Sequence, residues 1–293
     1  MSDCRSRRSA GTVAGVSDSR PLAGRTAIVT GVSRRAGIGY AVAGRLATRG
    51  AAVLAHSWAP HDAEQPWGAD PLGPDGVVAA LRAELPPGAG RVEHHAADLA
   101  DPQAPAALLA LAADRLGPVD VLVANHARSS GYGLGALTAA ELDLTLAVNV
   151  RATLLLVQAF AAAHERGRPG ARVVLFTSGQ HAGPMPAELP YVASKGALQQ
   201  VTGSLAAALA PAGITVNCID PGPTDTGYAD DDSRRHVAAR HPARRWGTPA
   251  DVANLVEWLA SDAAAWITGQ TLVSDGGWML RNGVSPGPEP VTD

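Results

Sequence analysis

The 293-residue sequence predicts an α/β fold, a single doubly wound domain on a parallel sheet of seven strands. Three observations carry this prediction. Short apolar runs alternate with longer helical patterns along most of the chain. Those runs are apolar throughout instead of alternating with polar residues, as strands covered on both faces must be. The first run opens into a glycine-rich turn that leads directly into an amphipathic helix.

In chain order the strands are Thr26–Thr30, Ala52–His56, Arg91–His94, Val119–Ala124, Arg172–Thr177, Thr215–Ile219 and Thr271–Ser274. Between them helices are predicted at about 37–49, 75–85, 103–116, 138–148, 150–166, 191–210 and 249–260. Two segments break the alternation: 58–74, with its prolines and tryptophans, and 223–248, with Asp230-Asp231-Asp232 followed by arginines. Both follow carboxyl ends of strands, where doubly wound sheets bind ligands, so they read as substrate-side loops. Residues 1–23 and 283–293 read as flexible tails around a domain of residues 24–282.

Composition narrows the function. With 24 basic and 27 acidic side chains the net charge is -3, which argues against a surface made for nucleic acid. The longest apolar stretch, Ala152–Ala163, is too short for a membrane span, and no apolar leader follows Met1. Two cysteines, Cys4 and Cys218, provide neither a disulfide framework nor a metal cluster, and they fit a reducing cytoplasm. His94 and His95 point to opposite faces of a strand, so no metal site is expected there.

In Thr30-Gly31-Val32-Ser33-Arg34-Arg35-Ala36-Gly37-Ile38-Gly39 the glycines allow a tight turn and leave helix N–H groups free for a pyrophosphate. This turn resembles the TGxxxGxG fingerprint of the short-chain dehydrogenase/reductase family, lengthened by two residues, and that family has a Rossmann fold. The resemblance implies cofactor contacts at Gly31, Ser33, Arg34, Arg35, Gly37, Ile38 and Gly39. At the end of the second strand, Ser57 stands where a carboxylate would hold a ribose 2′-hydroxyl. With two arginines nearby, that favours NADP(H) over NAD(H). Further along, Asp98-Leu99 resembles the family's adenine-contacting pair, and Ala124-Asn125-His126-Ala127 stands in place of its NNAG, with Asn125 retained. Asp220-Pro221-Gly222-Pro223-Thr224-Asp225-Thr226 resembles the motif lining the nicotinamide, which adds Pro221, Gly222, Thr224 and Thr226.

Tyr191 and Lys195 lie one helical turn apart on one face. A phenol with a reference pKa of about 10 is a poor acid at neutral pH, and a cation one turn away should lower it. Lys195 is the only lysine in the chain, in a composition that otherwise uses arginine for every basic residue except histidine. An ammonium and a guanidinium are not interchangeable. Ser178 ends a strand thirteen residues before Tyr191, and Asn149 lies in a preceding helical stretch. Together Ser178, Tyr191, Lys195 and Asn149 resemble the family's catalytic set. The resemblance implies that Ser178 polarises a carbonyl, Tyr191 exchanges the proton, Lys195 tunes Tyr191 and holds the ribose, and Asn149 supports a proton relay. Gln180, His181, Met185 and Tyr228 are candidates for substrate contact.

The details are most similar to a subgroup named 3-oxoacyl-(acyl-carrier-protein) reductase. They imply an NADP-preferring oxidoreductase that interconverts ketones and secondary alcohols on a small-molecule substrate, an acyl thioester or polyketide among them. The alternatives are a non-catalytic nucleotide-binding regulatory protein and an epimerase or dehydratase using bound nicotinamide. The apolar 150–163 helix, packed against a second subunit in the family, implies a homodimer or homotetramer.

Overall fold

The computed structural model describes residues 20–165 and 167–283. Its seven strands form one parallel sheet in the order β3-β2-β1-β4-β5-β6-β7. They are β1 (Thr26–Val29), β2 (Ala52–Ser57), β3 (Val92–Ala96), β4 (Val121–Ala124), β5 (Arg172–Phe176), β6 (Thr215–Asp220) and β7 (Thr271–Val273). The helices are α1 (Ile38–Thr48), α2 (Ala59–Ala63), α3 (Gly73–Glu84), α4 (Ala104–Leu116), α5 (Ala139–Leu146), α6 (Ala152–Ala163), α7 (Leu189–Leu209), α8 (Asp231–Arg240) and α9 (Pro249–Ala260).

Each face of the sheet carries its own core. On one, Val42 and Leu46 of α1, Val77 and Val78 of α3 and Val256 of α9 pack over Val29, Val53 and Val123. On the other, Leu108 of α4, Leu156 and Phe160 of α6 and Ala206 of α7 pack over Ile28, Leu122 and Val173. The central strands are buried on both sides, which is why they read as unbroken apolar runs. All seven expected strands are present within one or two residues of their expected bounds.

Three features differ from expectation. Helix α8 lies inside the segment read as a loop: its sequence, DDSRRHVAAR, has no apolar stripe. It is held instead by Asp230, whose side chain accepts from Ser233 N, and by the pairs Asp231–Arg234 and Asp232–Arg235 three residues apart. Residues 20–23, assigned to the tail, form a turn whose Leu22 is fully buried and donates its N–H to Arg49 O. Residues 1–19 and 284–293 lie outside the described residues. Lastly, a five-residue π-turn, Ala147–Arg151, joins α5 to α6 without a break. The resulting Ala139–Ala163 helix is, by length and composition alone, long enough and apolar enough to cross a membrane. Reading the apolar run as stopping at Arg151 missed that continuity. Leu156 and Phe160 nevertheless pack inward against the sheet.

The turn at Leu22 yields a test. Leu22→Ala should lower the unfolding free energy by about 2–5 kcal/mol in a urea titration, as for other fully buried leucines. A loose tail would give less than about 0.5 kcal/mol.

Candidate active site

In the sheet order β1 and β4 are neighbours whose following helices go to opposite faces, and the crevice between their carboxyl ends is where such sheets bind ligands. The glycine turn sits there. Gly31 adopts φ +78°, and a Cβ on Gly39 would lie 2.2 Å from Gly31 O. Asn125 reaches across from β4, donating from Nδ2 to Thr30 O (3.1 Å) and Gly31 O (3.3 Å). Helix α1 starts at Gly37 with no side-chain cap, so its first N–H groups remain available to an anion.

A cleft of 470 Å³ opens in front of this helix. Of the expected cofactor residues, Gly31, Ser33, Arg34, Gly37, Ile38, Asp98, Leu99, Asn125 and Thr226 line it. A cradle too tight for side chains, an uncapped helix start and a cleft of this size fit a dinucleotide.

Other expected cofactor contacts are directed elsewhere. Ser57 is fully buried, and its Oγ meets His94 Nε2 at 2.8 Å, so it offers nothing to a 2′-phosphate. Arg35 turns outward, its N–H and Nε both donating to Asp70. Thr224 is buried, and its hydroxyl is donated to Pro221 O. Gly222, at φ +59°, packs against Asp275. Of the two arginines in the turn, only Arg34 lines the cleft. Its Nε lies 3.3 Å from Asp62, its Nη1 donates to Thr226 O, and its guanidinium stacks 5.5 Å from the Trp67 ring centre.

The segment read as a loop at 58–74 thus forms one wall of the cleft, a role sequence reasoning missed. Asp62 accepts from Ser33 Oγ and pairs with Arg34, while Asp70 takes Arg35. On the far side His61 Nε2 accepts from Ser129 N (3.0 Å), and its Nδ1 lies 3.2 Å from Arg128 Nη1. Burial, then the Arg128 charge, push the His61 pKa down. The available signal was charge complementarity: two arginines in the lengthened turn, two aspartates in the inserted segment.

The catalytic candidates converge at the ends of β5 and β6. Ser178, just past β5, lies near enough to the Tyr191 phenol to lower its pKa. Lys195 is buried, its Nζ donating to Phe176 O (3.1 Å) and lying 5.6 Å from the Tyr191 ring centre. Burial pushes the Tyr191 phenol up to about 12; the nearby Ser178 hydroxyl opposes this, and the Glu188 and Asp220 carboxylates add to it. The expected lowering of this pKa by Lys195 is not found: burial sets the direction of the shift. Lys195 is itself pushed down to about 8, by burial first. Asn149, in the π-turn, spends its amide on Arg128 O and Ser194 Oγ and accepts from Arg128 N. Ser194 Oγ in turn donates to Tyr191 O at 2.8 Å. Asn149 therefore braces the start of α7, and its side chain has no further donor for a lysine relay.

Among the substrate candidates, Tyr228 is half-exposed and packs edge-on between Trp67 (6.3 Å) and Trp246 (5.9 Å). It lines an open groove with Pro66 and His236. His181 Nε2 lies 3.3 Å from Asp220 Oδ2. Gln180 donates to Thr177 Oγ1 and Gln199 Oε1, away from any substrate. Met185 lies partly buried in the same loop, its carbonyl accepting from Glu188 N. No group of three or more metal-ligating side chains occurs among the described residues.

The fold and the glycine cradle define a Rossmann-type dinucleotide-binding protein. Residues 31–279 match the family model described as enoyl-(acyl carrier protein) reductase. An uncharacterized oxidoreductase of Bacillus subtilis, YjdA, is 36% identical over 256 residues, 87% of this chain and 97% of its own. The reductase LugOII, described as catalysing keto-reduction at C1 during lugdunomycin biosynthesis, superposes with TM-score 0.75 at 34% identity, covering 89% of this chain and 99% of LugOII. The angucycline C-6 ketoreductase LanV with bound NADP gives TM-score 0.75 at 30% identity over 89% and 97% of the two chains. The chain belongs to the short-chain dehydrogenase/reductase family of oxidoreductases.

Two measurements check the site. Gly39→Ala should abolish dinucleotide binding in a fluorescence titration, since the new methyl must displace the Gly31 carbonyl. The second concerns the depressed Lys195. Between pH 8 and 10.5 the unfolded chain binds a proton at this position that the folded chain lacks, so folded stability should rise with pH across that window. The corresponding rise should vanish in Lys195→Met, measured by urea denaturation at stepped pH.

Proposed function

We propose that this protein interconverts a ketone and a secondary alcohol on a small-molecule substrate, with NADP(H) preferred over NAD(H). The observation that carries the reading is the approach of Ser178, Tyr191 and Lys195 to one another past the carboxyl end of β5, the strand next to β4 in the sheet. LugOII and LanV, similar along nearly their whole lengths, are both described as performing keto-reduction.

Bound nicotinamide would supply or accept the hydride. Gly31, Gly37 and the open start of α1 would hold the pyrophosphate, and Asp98, Leu99 and Asn125 would border the adenosine. Ser178 donates a hydrogen bond to the substrate oxygen, stabilising the charge that develops on it. Tyr191 gives that oxygen its proton in reduction and takes it back in oxidation. Lys195, above the tyrosine ring, stabilises the phenolate form and keeps donors for a ribose hydroxyl. Asn149 acts as a positioning residue through Ser194.

The NADP(H) preference rests on Arg34 and on the absence of a carboxylate at the end of β2. The exposed Trp266 and the half-exposed edge residue Val273, with the apolar α6, suit a homodimer or homotetramer. Reduced Cys218 suits the cytoplasm.

Two substitutions separate chemistry from binding. Tyr191→Phe should lower turnover of NADPH with an accepted ketone by about 10²–10⁴-fold while leaving NADPH affinity nearly unchanged. Arg34→Leu should weaken NADPH binding about 10- to 100-fold, the worth of one charged hydrogen bond, with NADH affected less than about threefold. Retained turnover in Tyr191→Phe would sink the proton-transfer assignment, and equal losses for both nucleotides would sink the Arg34 assignment.

A further inference from the structure

We propose that His126 is a positioning residue whose ring joins the mouth of the glycine turn to the π-turn carrying Asn149, so that dinucleotide binding at the turn sets the line from Asn149 through Ser194 to Tyr191. This rests on the reading of Tyr191 as the proton donor.

His126 lies in the loop after β4, 7% exposed, and borders the dinucleotide cleft. Its Nε2 lies 3.0 Å from Val148 O. A carbonyl oxygen can only accept, so Nε2 carries the proton. Nδ1 then presents a lone pair, which takes the hydroxyl proton of Thr30, 2.8 Å away. Thr30 Oγ1 in turn accepts from Asn125 N (3.0 Å) and His126 N (3.2 Å). Every group in this junction has a partner, and one neutral tautomer satisfies them all. Burial, with the nearby His56 and Lys195 charges, holds the His126 pKa at about 3, so the ring remains neutral at physiological pH.

The π-turn explains why a ring is needed here. Ala152 N donates to Ala147 O across five residues, which shifts the helical hydrogen-bond register. Side chains bond two carbonyls in this turn: His126 takes Val148 O, and Thr153 Oγ1 takes Asn149 O at 2.8 Å. The next residue after Val148 is Asn149, which fastens Arg128 and Ser194. The junction therefore spans three segments far apart in sequence: the end of β1, the loop after β4 and the start of α6. It borders the dinucleotide cleft at one end and, through Asn149, reaches Ser194 of α7 at the other. Position 126 is also one of the three at which the sequence departs from the family's NNAG, here with an imidazole in place of a methyl group.

Amide hydrogen exchange on the full chain tests this. Without dinucleotide, His126→Ala and Thr30→Val should each speed exchange at Gly31 and across residues 149–153 by at least about tenfold. The double variant should add little, and the core amide of Ile28 should be unchanged as the control for global unfolding. His126→Gln, which keeps a donor for Val148 O, should recover part of the protection. NADPH, or NADH if it binds more tightly, should slow exchange at 149–153 in the wild type but not in His126→Ala, although the variant still binds it. With an accepted ketone, kcat should fall about tenfold in His126→Ala while KM changes less than about threefold. Unchanged exchange at 149–153 in the dinucleotide-free variant, or equal dinucleotide protection in both proteins, would overturn the proposal. Absence of any dinucleotide binding by the wild type would instead overturn the coenzyme reading, and the dinucleotide-free arms still decide the role of His126.

Discussion

The Gly31 carbonyl faces Gly39 so closely that no side chain fits between them, and the rest of the site is arranged around that contact. The contact forces the chain to leave β1 and enter α1 within one compact turn. This places the uncapped N-terminus of α1 in the crevice between β1 and β4. Asn125 closes the turn from the β4 side by bonding the carbonyls of Thr30 and Gly31. Because β5 and β6 extend the sheet on from β4, their carboxyl ends place Ser178 and Asp220 on the same edge of the sheet as that crevice. Four parallel strands, β1, β4, β5 and β6, thus point their carboxyl ends to the same edge of the sheet, and one backbone contact limits how near a ligand can approach the glycine turn.

The lengthened turn and the inserted segment are two halves of one device. Extending the turn by two residues adds room for Ser33, Arg34 and Arg35, and two adjacent arginines would repel each other at a partly desolvated edge. Asp62 and Asp70, both from the insertion, take one arginine each. Burial lowers the Arg34 pKa, and the two carboxylates oppose that shift, so the pair stands in a setting where losing one partner is costly. Through His61 and Trp67 the same insertion reaches the loop after β4 and the groove beside Tyr228. The cleft before α1 and the groove beside Tyr228 therefore share a wall. Arg34 reaches the coenzyme side already tied to Asp62, which gives a weaker basis for phosphate discrimination than two free arginines would.

Much of this was legible because parallel strands buried on both faces leave unmistakable apolar runs, and because a glycine turn before a helix has few other uses. The Tyr191–Lys195 pair was legible because helical spacing fixes which residues share a face. The destinations of polar side chains were not. Nothing in the local sequence says that Ser57 turns to His94 in place of the cleft, since the choice depends on a strand thirty-seven residues away. Helix α8 was hidden because it has no apolar stripe, and it is held by a cap and ion pairs that periodicity does not register. The brace made by Asn149 depends on a π-turn, which shifts the helical register by a residue and defeats a reading based on regular period.

Lys195 shows what the fold gives up for this site. Its ammonium is 2% exposed, and among the described residues no carboxylate lies within ion-pair range. Its contacts are one backbone carbonyl and the face of a tyrosine ring. Burying a charge so thinly compensated is expensive, and the depressed pKa is the direct sign of that cost. The same burial raises the pKa of Tyr191, so burial opposes the charged form of both groups. At neutral pH the phenol is protonated and Lys195, at about 8, still carries its proton for the most part. A neutral phenol is the form that can donate a proton, and a compact ammonium is the group best able to offset the phenolate left behind. In a chain that uses arginine for every other basic residue except histidine, burying its single lysine against the Tyr191 ring is poor design for stability and good design for the proton transfer proposed for that tyrosine.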